Sequence, residues 1–234
     1  MNRNLWIKVP LWWVRNGVGL DPKAREDFGI KEAGLRSFTQ HDRGNSIAAL
    51  KLYIGLLVKT NNMSSDPEYG KSTWSITEIQ KSTGLSREKI VTAGRILEEY
   101  RLIDIDRKNG AKNIYKIVGY EINSWGKIPK GMFRLITGGD TLKQITTRSK
   151  AGLNALKLYI YLVSCYDSKF GYSQPGYYTI ENKTGIIRNE IKRALSMLIN
   201  LELIVIEHEI PDSKSGNPYN TPNRYYIRGL SGKY

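Results

Sequence analysis

Nine side chains in two short stretches carry the chemistry needed to grip a polyanion and to read the edges of bases. They are Arg87, Lys89, Thr92 and Arg95 within GLSREKIVTAGRILEEYRLI, and Arg188, Asn189, Lys192, Arg193 and Ser196 within GIIRNEIKRALSMLINLELI. A guanidinium makes two parallel hydrogen bonds to guanine and a carboxamide does the same with adenine, each pair discriminating by about 1–3 kcal/mol. If both stretches are helical, Ile90, Ala93, Leu97 and Tyr100 fall on one face of the first. Ile191, Ala194, Leu198 and Leu201 do so in the second, which leaves the nine on exposed arcs. Arg87 and Arg188 stand in the first predicted turn of each. Exposed basic residues on a helix also serve as plain solvated surface, and Glu88, Glu98 and Glu99 would repel phosphate unless turned away.

The elements that must position these side chains come twice. Ile76–Ile103 and Tyr177–Ile204 align without gaps and share Ile79/Ile180, Thr83/Thr184, Gly84/Gly185, Arg87/Arg188, Ile90/Ile191, Ala93/Ala194, Leu97/Leu198, Leu102/Leu203 and Ile103/Ile204. Each reads as a helix (Thr77–Thr83, Thr179–Thr184), a glycine turn, and a second helix (Arg87–Tyr100, Arg188–Leu201). Ser86 is a good N-cap for the first of the longer helices, whereas Ile187 is a poor one. Upstream, Ser46–Lys59 and Gly152–Cys165 both contain ALKLYI and predict a central buried helix. Downstream, Leu102–Asp106 with Asn113–Val118, and Leu203–Glu209 with Asn223–Arg228, predict β-hairpins. Their basic residues Arg107, Lys108, Lys112, Lys214, Arg224 and Arg228 are candidate phosphate ligands, although a hairpin tip is also where any soluble protein places lysine.

A short strand within residues 1–14, anchored by Trp6, Trp12 and Trp13, has a weaker counterpart in Trp125–Pro129, and a short strand is expected at Tyr177–Tyr178. Pro22–Phe28 predicts one short helix. The predicted fold class is α+β, mainly α: two tandem winged helix-turn-helix domains related by internal duplication. The first spans residues 1–120 (core 46–118) and the second 121–234 (core 152–228).

Composition narrows the chemistry. One cysteine, Cys165, and two histidines, His41 and His208, exclude a disulfide framework and argue against a metal site. Asp104 with Asp106, and Glu207 with Glu209, alternate on strands but lack basic or histidine partners, and no glycine-rich phosphate loop or catalytic triad occurs. No enzyme activity, cofactor or small-molecule substrate is expected. The N-terminal apolar run is short and interrupted by Lys8 and Pro10, so neither a signal peptide nor a membrane span is expected, and the location implied is cytoplasmic and nucleoid-associated. The net charge of +14 favours a nucleic acid or an anionic membrane surface as partner, and the duplicated helix-turn-helix pattern selects nucleic acid. Residues 119–177 hold eight basic against three acidic side chains. Lys127, Lys130, Arg148 and Lys150 in this lead-in are expected along a phosphate backbone between two half-sites, with an exposed linker as the alternative.

The repeated ALKLYI and glycine-turn motifs resemble those of bacterial and phage winged-helix proteins, and the two-domain plan resembles plasmid and phage replication initiators. That resemblance implies sequence-specific binding of double-stranded DNA at repeated origin sequences. A transcriptional repressor on operator DNA shares the same plan. Tandem winged helices also serve as protein-interaction subunits of chromosome-organising complexes, a use the basic exposed face argues against. Two recognition helices in one chain already span two half-sites, so a homodimer is compatible but not required.

Overall fold

Strand β1 (Trp6–Pro10) opens the computed structural model, which describes residues 6–14, 34–107, 112–133, 141–208 and 222–230. A 3-10 turn (Leu35–Thr39) leads to α1 (Arg43–Lys59), β2 (Lys71–Trp74), α2 (Ile76–Thr83), α3 (Arg87–Glu99), β3 (Ile103–Asp106) and β4 (Asn113–Ile117). The chain then runs through β5 (Trp125–Pro129), a second 3-10 turn (Lys130–Phe133) and α4 (Thr141–Gln144). It ends with α5 (Lys150–Ser164), α6 (Tyr177–Thr184), α7 (Arg188–Asn200), β6 (Ile204–Glu207) and β7 (Arg224–Ile227). Among the described residues the fold is therefore mixed, with seven α-helices and three small antiparallel sheets of order β1-β5, β2-β4-β3 and β6-β7. The helix expected at 22–28, and Lys108 and Lys214, lie outside the described residues.

Local chemistry explains the boundaries. Asp42 accepts a hydrogen bond from the Asn45 N–H at 3.2 Å and starts α1 three residues ahead of the predicted Ser46. Ser75 and Glu78 form a reciprocal capping box on α2. Gly84 and Gly185, at φ +69° and +68°, end α2 and α6 in the left-handed region, where a side chain is strained. Both longer helices end on a paired reverse bond: Leu102 N–H to Leu97 carbonyl at 2.8 Å, and Leu203 N–H to Leu198 carbonyl at 2.9 Å. The intervening residues, Arg101 and Glu202, take φ 52° and 56° without being glycine. Tyr177–Tyr178 is not a strand. It forms the first turn of α6, because Gly176 holds the extended N-cap conformation and accepts from the Ile180 N–H. The sheet position expected there falls to Ser173, which bridges Tyr225 of β7.

The two halves are interlocked. β1 and β5 pair antiparallel with Lys8 opposite Lys127 at the centre, and Trp6 opposite Pro129 and Pro10 opposite Trp125 at the ends. Trp6 and Trp125 stack at 5.2 Å on the outer face, while Ile7, Val9 and Ile128 are buried beneath. Gly126 in β5 is a close approach: a Cβ there would come within 2.8 Å of Val163 on α5. The long helices α1 and α5 pack on each other, and the lead-ins are exchanged, with Leu35–Thr39 against α6 and α4 against α2. Arg36 covers the Gly185 turn and donates to the Asn182 carbonyl at 2.9 Å, and the Lys143 side chain lies against the Gly84 turn. One continuous apolar core runs through both halves. Trp12 and Trp13 belong to it, bonded to the Val118 carbonyl and the Tyr53 hydroxyl.

Two lysines are buried with this core, both in the shared ALKLYI stretch. Lys51 donates to the Ile145 carbonyl of the other half at 2.9 Å. Lys157, counted in the sequence as part of the basic field, is 0 % exposed and has no hydrogen-bond partner among the described residues. Burial pushes each ammonium down to about 8. Below pH 8 both folded and unfolded chains are protonated, and the full cost of burying the charge is present. Between about 8 and the ordinary 10.5 the unfolded chain binds more protons, so stability rises with pH. Lys157→Met is expected to stabilise the fold at pH 7 by about 2 kcal/mol and to reduce the rise between pH 8 and 10.5 to the part that Lys51 supplies, read from urea unfolding across that range.

Candidate nucleic-acid interface

Helices α3 and α7 present their polar arcs to solvent because their opposite faces are committed to the core. Ile90, Ala93, Ile96 and Leu97 are buried in α3, and Ile191, Ala194, Leu195 and Leu198 in α7. Ile96 and Leu195 widen the buried stripe beyond the expected positions, while Tyr100 and Leu201 are only partly covered. Arg87, Arg95, Arg188, Asn189, Lys192, Arg193 and Ser196 are exposed, and Thr92 is half-buried. The N-termini differ in construction. Ser86 accepts from the Lys89 N–H at 3.3 Å. Ile187 makes no cap bond, and the Glu181 carboxylate accepts from the Arg188 N–H at 3.3 Å instead.

Lys89 is held back from solvent. Its ammonium donates to the Asn45 amide oxygen at 2.7 Å and lies 3.9 Å from Asp42, fastening α3 to the start of α1. The matching place in the other half is filled with charges reversed: Glu190 on α7 lies 3.7 Å from Lys150 at the start of α5, and 3.3 Å from Arg193. Beside these ties lie two clefts. The larger, about 650 Å³, is lined by Asp42, Arg43, Gly44, Lys89, Thr147 and Arg148. The smaller, about 340 Å³, runs past His41, Arg43, Lys150, Gly185, Ile187 and Glu190. Arg43 borders both, so the N-terminal ends of α3 and α7 open onto one strip of surface with Arg43 between them.

The hairpins and the lead-in are less uniform. Arg107 is clasped by Glu98 of α3 through both terminal guanidinium nitrogens, one bond at 3.0 Å, which pairs that carboxylate's charge. Lys112 pairs with Glu78 at 2.8 Å, and this contact with the Ser75 bonds holds the Glu78 carboxyl down to about 2. Both pairs are solvent-exposed, where water screens an ion pair and leaves it little net strength, so a phosphate can displace the carboxylate at small cost. The Arg224 guanidinium lies 5.0 Å from the Tyr172 ring, and Arg228 is half-buried. Lys127 does not join the strip: it sits over Trp6 at 5.1 Å on the β1–β5 ribbon. Lys130 opens the second 3-10 turn and Lys143 lies at the Gly84 turn, while Arg148 and Lys150 line the clefts beside the two helices.

Sequence reasoning missed Arg43, which looks like an ordinary residue ahead of an apolar helix; the signal was its place beside the Asp42 cap at the opening of α1. It also missed the outward-facing apolar side chains Val91 and Ile187, 41 % and 58 % exposed, which hydrophobic periodicity assigns to the interior by default. Among the described residues no group of three or more histidine, cysteine or acidic side chains is placed to hold a metal. No described helix is long and apolar enough to cross a membrane. Comparison with protein-family models, with curated proteins and with solved structures finds no match. The unequal caps make a direct expectation. Ser86→Ala should cost about 1 kcal/mol of stability and Ile187→Ser should add about 0.5–1 kcal/mol, both read from chemical denaturation midpoints.

Proposed function

We propose that this chain is a tandem winged-helix protein that binds double-stranded DNA sequence-specifically, with α3 and α7 as recognition helices. The β3–β4 and β6–β7 hairpins are the wings. Each half runs helix, extended segment, helix, glycine turn, helix, hairpin, and in the first half β2 completes a sheet of order β2-β4-β3. The observation that carries the reading is the common opening of both recognition-helix N-termini onto the strip around Arg43, in a chain of net charge +14. In a helix-turn-helix complex it is the N-terminal residues of the second helix that meet base edges.

Arg87 and Arg188 are the leading base readers, joined by Thr92, Arg95, Asn189, Lys192, Arg193 and Ser196. Lys89 acts through the joint it makes with α1. Arg107, Lys112, Arg224 and Arg228 supply phosphate contacts once their local partners are exchanged. The biological role we assign is that of a plasmid- or phage-type replication initiator, on the size, the two-unit plan and the basic charge.

Selection of bound duplexes from a random pool tests this reading. It should return a site long enough for two recognition helices. Affinity for that site should fall with salt at a log–log slope of about −5 or steeper if six phosphates are neutralised. Arg87→Ala and Arg188→Ala should each weaken binding at least about tenfold and relax base preference in opposite halves of the site. Binding indifferent to salt and sequence would sink the proposal.

A further inference from the structure

We infer that Arg43, supported by Arg148, reads the minor groove between the two half-sites and makes the protein prefer an A·T-rich spacer. The inference rests on the DNA-binding reading above. Two recognition helices docked on one face of B-DNA occupy successive major-groove segments about 10 base pairs apart, and the surface between them faces the intervening minor groove. In this molecule the surface between α3 and α7 is Arg43, which borders the cleft of Lys89 on one side and that of Ile187 and Glu190 on the other. Arg43 is exposed, and its Nη1 donates to the Arg148 carbonyl at 3.5 Å, which draws these two basic residues together at the junction of the clefts.

The carboxylates nearby are engaged. Asp42 accepts from the Asn45 N–H and lies 3.9 Å from the Lys89 ammonium, and Glu190 lies between Lys150 and Arg193. The strip therefore keeps a positive field at Arg43 and Arg148, strengthened by the N-terminal ends of α1 and α5. A guanidinium suits the minor groove of A·T pairs chemically, because that edge shows only acceptors, whereas a G·C pair adds an amino donor. Narrow A-tract grooves also concentrate negative potential that favours an inserted arginine.

The test uses the full chain and the duplex selected by it, with the spacer varied as A·T, G·C or inosine·cytosine; the last lacks the minor-groove amino group. The A·T duplex should bind roughly tenfold tighter than the G·C duplex, and the inosine·cytosine duplex should recover most of that difference. Arg43→Ala should shrink the spacer preference to about twofold while half-site preferences remain, and Arg43→Lys should fail to restore it. Arg87→Ala, the control, should weaken half-site reading and keep the spacer preference. Equal binding of the three spacers by the wild-type chain overturns the inference and leaves the DNA-binding reading standing. So does a preference that survives in Arg43→Ala. Absence of any sequence-selective duplex binding overturns both.

Discussion

The antiparallel pairing of β1 with β5 is the contact on which the arrangement of the molecule depends. It joins residues 6–10 to residues 125–129 and so closes the whole first half of the chain into a loop where the second half begins. Backbone hydrogen bonds alone would be a weak seam for two strands in water. The seam holds because Ile7, Val9 and Ile128 continue directly into the core beneath, against which α1 and α5 also pack. The exchanged lead-ins add a second lock, each laying a basic side chain over the glycine turn of the opposite helix pair. The relative placement of α3 and α7 follows from these contacts rather than from a linker. A flexible tether would leave spacing between two sites to chance, whereas this joint sets it in the folded state.

The joint carries a cost. Placing ALKLYI in both central helices brings a lysine into the interior twice, and among the described residues Lys51 finds a carbonyl to donate to while Lys157 does not. An unpaired buried ammonium weakens the fold, and burial answers in part by lowering its proton affinity. Below pH 8 the core around Lys157 is thus a charged interior held by its apolar surroundings.

The helices and hairpins were legible in the sequence because their signals are local. ALKLYI has the all-round apolarity of a central helix, Gly84 and Gly185 mark turns that require a positive φ, and Ser86 marks a cap. The joint between halves was not legible, since it depends on pairings between residues more than a hundred positions apart, and Trp6–Pro10 and Trp125–Pro129 gave no sign of pairing with each other. Charge was the weakest guide. Counting placed Lys127, Lys143 and Lys157 with the basic field, but one is stacked on tryptophans, one covers a glycine turn, and one is in the core. Arg43 has the neighbouring Asp42 cap as its one local cue, and the packing of α1 beside α5 gives it its position. Tyr177–Tyr178 reads as a short strand from its place just after Pro175-Gly176, whereas Gly176 in fact caps a helix there.

The reversed ion pairs at the base of α3 and α7 act as an address. Lys89 meets Asp42 and Asn45 at the start of α1, while Glu190 meets Lys150 at the start of α5. If the two helices changed places, glutamate would stand against aspartate in one half and lysine against lysine in the other. The repeated glycine turn and the shared Ile, Ala and Leu positions of the apolar stripe are the same in both copies and cannot tell the helices apart. These few charges can, so a molecule whose halves look alike still seats each helix on its own partner and keeps left distinct from right along whatever it binds.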